Sequence, residues 1–371
     1  MKYGCKIFFV AAVLISFIGG CSSGGDKKKS GKIELVHAWY VDVFKAHQFG
    51  SPKHENVSPV IVGDDIFQGA SDGRLLVVSK RLGSVKRVIK NSGGLDASPL
   101  YYQGVLYFGN NDGEVKAFSY RTGDYLWTYN TGYPIDSSPA ICDNRLFVMS
   151  SEDILYSLDA VTGKVIWSIK RDFPGRRPIV KWSSSPVCFD NTVYVGFSDG
   201  SLIGADVTSG TVVLEKKLNS KGKFKDIDAT PYVDEKMVII PSYDGNLYCL
   251  DRKTGGEIWN IKDGSAKAVT VMNDVVYFSS NEGNLYAIDI KDGRVRWNSK
   301  LKSGIPTSPA VLDDYLVVGS SERGIMLFNK NDGKFVAEFN SGTGVFADPV
   351  VEDNNIYFLT NYGVLHSLYK L

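Results

Sequence analysis

Little in this chain could be explained by a single residue type. Its 371 residues include only 5 cysteines and 4 histidines, and no two cysteines are adjacent or spaced as CxxC. Cys5 and Cys21 lie close to the N-terminus, and the other three, Cys142, Cys188 and Cys249, each sit inside an apolar, strand-like run. An odd number at irregular spacing argues against a disulfide framework or a zinc site and for buried free thiols. An excess of either charge is also missing. The 42 basic groups lose Lys2 and Lys6 if residues 1–20 are removed, leaving 40 against 41 acidic groups. So near-neutral a balance gives no reason to expect nucleic acid as a partner. The apolar run at residues 7–17 is shorter than the roughly 20 residues that a membrane-spanning helix needs.

What that run does have is the grammar of export: Lys2 and Lys6 around its start, then Ile18, Gly19 and Gly20 leading into Cys21. Small residues before a cysteine resemble a lipobox, which implies that Cys21 receives lipid and becomes the mature N-terminus. Residues 22–31 (SSGGDKKKSG) have the composition of a flexible tether. Ser22 directly after the cysteine, with no Asp there, resembles lipoproteins passed on to the outer membrane. The expected division is therefore a signal peptide over 1–20, a lipidated tether over 21–32 and a folded unit over 33–371.

Within that unit the chain repeats itself about every 40 residues. One marker is a Ser/Thr-Pro or its equivalent, at Pro59, Pro99, Pro139, Pro186, Pro231, Val269, Pro309 and Pro349. A second is a turn residue at Gly73, Gly113, Asp153, Gly200, Gly245, Gly283, Gly324 and Gly363. Between the markers, short β-rich runs are cut by Asn, Asp and Gly, as expected of four antiparallel strands, A to D, joined by tight hairpins. Such a sheet has two apolar faces, and packing copies radially about an axis buries both. Eight copies predict an all-β, eight-bladed β-propeller.

A third marker is a tryptophan four residues after the glycine that opens strand D: Trp127, Trp167, Trp259 and Trp297. Repetition around a ring spreads these rings apart, so they read as fillers between blades, not a ligand box. The eighth copy stops without a strand D, while the N-terminal segment carries Trp39 with no strands before it. Residues 35–43 should therefore pair with residues 364–371 and close the ring. His37, His47, His54 and His366 all fall near this closure, without carboxylates at ligand-like spacing, so no metal site is expected.

Two of the longer connections between blades, residues 170–185 and 218–229, flank blade 4 on one rim. Loops on a rigid scaffold are where binding usually sits. The first holds Arg171, Arg176, Arg177, Lys181 and an off-repeat Trp182 among Phe173, Pro178, Ile179 and Val180, a composition typical of interface hot spots. The second holds Lys221, Lys223, Lys225, Asp226 and Asp228.

The repeat SYDGNLYCLDRKTGGEIW resembles that of the pyrroloquinoline-quinone-type propellers. More closely, the mature chain resembles the BamB family, lipoproteins of the outer-membrane β-barrel assembly machine. The resemblance rests on the lipobox, the N-terminal Trp strand, DFPG with its loop into SSSP, KDIDATP, and NDGKFVAEF. It implies a non-catalytic scaffold that binds the periplasmic domains of a BamA-like subunit, whereas the quinone-dependent enzymes of the superfamily share only its blades. It also implies contact with unfolded outer-membrane proteins and with the membrane through the lipid. Val180 and Lys181 fall where the family has an apolar residue and an arginine, and Asp226 and Asp228 fit its two aspartates. The departures are a longer first loop, Trp182 where glycine is usual, and Lys for Arg. With Arg176 and Arg177, these form the expected partner-binding set. The alternatives are a quinone-dependent enzyme and an adaptor in another envelope complex. Quinone enzymes usually carry vicinal cysteines and a cluster of calcium ligands, neither of which this sequence has, so no cofactor is expected.

Overall fold

In the computed structural model, residues 33–44, 55–171, 183–218, 226–243 and 245–371 are described. They form eight four-stranded antiparallel sheets, the blades of a β-propeller. In seven of them strands A to D follow chain order. Blade 3, for example, is Ala140–Cys142, Arg145–Met149, Ile154–Asp159 and Val165–Lys170. In the eighth, the N-terminal strand Leu35–Asp42 takes the outer place and pairs antiparallel with Val364–Lys370, so first and last strands share a sheet as the repeat count requires.

Composition explains the local structure. The middle strands B and C are Val/Ile/Leu/Phe/Tyr-rich and buried on both faces, as in Arg145–Met149 and Ile154–Asp159. Strand D alternates exposed and half-buried residues, as an outer strand must. Several A–B hairpins turn through two residues of positive φ, such as Asp143 (51°) with Asn144 (60°) and Asp190 (48°) with Asn191 (57°). Asp and Asn tolerate that region better than other side chains, and it matches the strand twist.

The core is a ring of clusters, each crossing from one blade to the next; Tyr107, Val115 and Ala117 of blade 2, for instance, pack with Leu146, Val148 and Leu158 of blade 3. A repeated tryptophan seals the outer end of five of these joints, while Arg87 and Leu214 take the slot at two others. Trp127 lies against Gly163 in the next blade's C–D turn, where a Cβ would stand 2.6 Å from the indole, and its Nε1–H donates to the Ala160 carbonyl at 3.0 Å. Trp39 does the same at Gly83, donating to the Lys80 carbonyl at 3.0 Å. Both glycines also have positive φ, 71° and 65°, so sequence Thr-Gly and Leu-Gly turns meet a steric and a conformational demand at once.

Two further features bear on function. Leu35 pairs with Lys370, whose N–H donates to the Asn354 carbonyl in blade 8's A–B turn at 3.2 Å, while Asp42 pairs with Val364 beside the B–C turn. The chain thus enters the ring at the A–B rim and runs toward the rim that holds the B–C turns and the D–A connections. The second feature is a correction: Cys142 and Cys188 are not free thiols. They sit on the inner strands of blades 3 and 4 with Cα atoms 6.3 Å apart and are disulfide-bonded. Inner strands of neighbouring blades converge near the axis, so cysteines about one repeat apart become neighbours. Cys249 is free and buried, as expected, and burial pushes its thiol up to about 12.

Candidate partner-binding site

The rim on either side of blade 4 is anchored by apolar and hydroxyl residues that fix the described ends of both extended connections. Ile227 is fully enclosed with Tyr194, Val238 and Ile240, and a Cβ on Gly196 would fall 2.3 Å from its Cγ2, so only glycine lets the connection pass. Side chains alternate along an extended segment. With Ile227 turned inward, Asp226 and Asp228 are carried together toward the mouth of the ring, 7% and 8% exposed. Ser184 ties the two connections together: its Oγ donates to the Ala229 carbonyl at 2.8 Å and accepts from the Gly196 N–H at 3.1 Å.

Blade 3 supplies the other wall. Asp153 occupies the B–C turn where most blades have glycine, holds φ at 55°, and accepts from the Ser198 N–H at 3.4 Å and from the Ser198 hydroxyl. Asp136, three residues before the strand-A proline, takes a hydrogen bond from Ser183. Arg171 is bound to Glu215 and, at 3.3 Å, to Asp199, and its guanidinium stands 5.9 Å from the Phe197 ring centre.

These carboxylates are uncomfortable together. Burial raises the Asp228 carboxyl well above the ordinary range, and the charges of Asp226, Asp136 and Asp153 push it further. Burial likewise lifts Asp136 to about 6 against the help of Ser183, with Asp96 and Asp153 adding to the rise. Among the described residues no group of three or more His, Cys, Asp or Glu is arranged to hold a metal ion.

Of the residues singled out from sequence, Asp226 and Asp228 are thus brought together, although buried instead of displayed. Cys21, Arg176, Arg177, Val180, Lys181 and Trp182 lie outside the described residues. Asp136 and Asp153 were missed, yet both leave a trace in the repeat. Aspartate recurs three residues before the strand-A proline at Asp96, Asp136 and Asp228, and Asp153 breaks the run of turn glycines.

Comparison with known proteins adds the context. A family model described as "Outer membrane protein assembly factor BamB" matches residues 86–299. An outer membrane protein assembly factor BamB of Salmonella typhimurium is 28% identical over 148 residues, which is 39% of this chain and 38% of that protein's length. Among solved structures, BamB from Moraxella catarrhalis superposes with a TM-score of 0.78 at 20% identity, covering 91% of this chain and 100% of that one. A quinohemoprotein alcohol dehydrogenase from Comamonas testosteroni reaches a TM-score of 0.73 at 14% identity, covering 91% and 76%. Likeness at such identities shows the fold alone.

Proposed function

Because the chain belongs to the BamB family of outer membrane protein assembly factors, we propose that it is a non-catalytic scaffold that binds the periplasmic part of a BamA-like subunit and aids insertion of barrel proteins. The observation that carries this reading is the convergence, beside two extended connections on one rim, of buried carboxylates that the fold itself does not need. Stability alone would favour their replacement, and local conflict of this kind marks functional sites. The partner surface comprises Val180, Lys181, Trp182, Arg176, Arg177, Asp226 and Asp228.

In this reading residues 1–20 are a signal peptide, Cys21 carries the lipid, and residues 21–32 tether the ring to the periplasmic side of the outer membrane. The Cys142–Cys188 bridge supports a location outside the reducing cytosol. The likeness to quinohemoprotein alcohol dehydrogenase is a likeness of blades. At residue level the sequence offers no adjacent cysteines for that chemistry.

The test is a photo-crosslinker at position 182 in cells. We expect it to trap the barrel-forming subunit, and trapping of other proteins only would overturn the assignment of this rim. A charge reversal at Asp228 is ruled out as a probe because a lysine there would be buried among packed groups. Lys181→Glu is the safer variant and should reduce co-purification.

A further inference from the structure

We propose that the mouth between blades 3 and 5 is a socket for one guanidinium group of the partner polypeptide, gripped by Asp228 and by Asp136, a residue outside both extended connections. The inference rests on the scaffold reading above and adds to it the chemistry of the contact.

Asp228 is 92% buried by its 8% exposure, and its Oδ2 has no hydrogen-bond partner among the described residues; the Oδ1 of Asp136 is in the same state. An ionised carboxylate offers about four acceptor positions, and a buried charge is paired, coordinated to metal or neutralised. Among the described residues, the charged groups acting on these two from neighbouring elements are of one sign: Asp96 before blade 2, Asp153 in the B–C turn of blade 3, and Asp226 before blade 5. Two cations of the rim are engaged elsewhere, Arg171 with Glu215 and Asp199, and Lys267 with the Phe346 carbonyl at 2.8 Å. No arrangement suited to a metal ion is present among the described residues. A cationic side chain from outside answers the remaining need, and guanidinium fits it better than ammonium. Its planar fork of five donors can serve two carboxylates at once, and it sheds water more readily.

The experiment measures binding of the full-length lipoprotein in detergent to the periplasmic part of the BamA-like subunit, beside Asp136→Asn and Asp228→Asn. Asp136→Asn should weaken binding by about tenfold or more while leaving the melting temperature equal or higher. A merely structural residue would lower it. Wild-type affinity should fall as the pH drops from 8 to 5.5, and the drop should shrink in Asp136→Asn. Wild type binding with Asp136→Asn binding equally well overturns the socket and leaves the scaffold reading intact, whereas no binding by wild type overturns both. Carboxyl-carbon NMR of the isolated protein supplies an independent arm. Asp228 should titrate above the ordinary Asp range and move down on adding hexa-arginine more than on adding hexa-lysine. An Asp228 already titrating in the ordinary range would mean that the chain's own cations fill the socket, which also overturns the proposal.

Discussion

The closing seam and the blade 3–5 mouth bury ionisable groups to opposite effect. At the seam, His37 Nε2 and His366 Nδ1 lie 3.2 Å apart, and His366 stacks on Phe358 with ring centres separated by 4.9 Å. Burial, with some help from His37, lowers His366 to about 4, so the pair stays neutral and shares a single proton between two nitrogens. At the mouth, burial forces carboxylates together and raises them. The seam uses burial to hold the ring shut. The mouth keeps charge where folding would rather have none, and that contrast separates a structural joint from a working surface.

The largest effect should come from removing the seam. Deleting residues 33–44 leaves blade 8 without its outer strand and exposes Tyr357, Leu359 and Leu365, which cluster with Val43 in the intact ring. We expect loss of a cooperative thermal transition by circular dichroism, and an unchanged melt would refute closure by the N-terminal strand. Next is the bridge between blades 3 and 4, whose cysteines are 46 residues apart. By loop entropy, reduction should cost roughly 4 kcal/mol in denaturant titration; a difference near zero would show that the blades are held without it.

Acid then distinguishes the two regions by sign. The unfolded chain takes up a proton on His366 near the ordinary histidine value of 6.5, the native chain only near 4. Stability from the seam is therefore present above about pH 6.5 and falls by up to about 3 kcal/mol as the pH approaches 4. His366→Phe should flatten that limb. At the mouth the native Asp136 binds its proton near 6 and the unfolded one near 3.8. Its penalty is present above pH 6 and fades as the pH falls toward 4. Asp136→Asn should thus stabilise the protein by about 1–3 kcal/mol at pH 7.5 and by little at pH 4. Destabilisation at neutral pH would mean that the carboxylate is paired and the contrast between the regions is lost.

Much of this was legible in the sequence, for particular reasons. Trp127, Trp167, Trp259 and Trp297 recur at one slot because each meets a turn glycine of the next blade, at Gly163, Gly210, Gly293 and Gly333, and the lone Trp39 betrayed the strand that completes blade 8. Periodicity reports such repeated demands directly. It says less about contacts made once. Cys142 and Cys188 looked independent because their pairing depends on how neighbouring inner strands approach the axis, which no local pattern encodes. Asp226 and Asp228 were recognisable, but that they share one side follows from Ile227 between them being drawn into the core. The alternation D-I-D already held that information, and reading the segment as a surface loop obscured it.

The direction of the first strand carries a last implication. The first strand starts at Leu35 on the side of the A–B turns, whereas the mouth opens on the other side. On the proposed reading, a leash fastened at that end would work like a handle on the back of a dish. It would hold the ring at its point of attachment while the hollow faced away, toward whatever approached from the opposite direction.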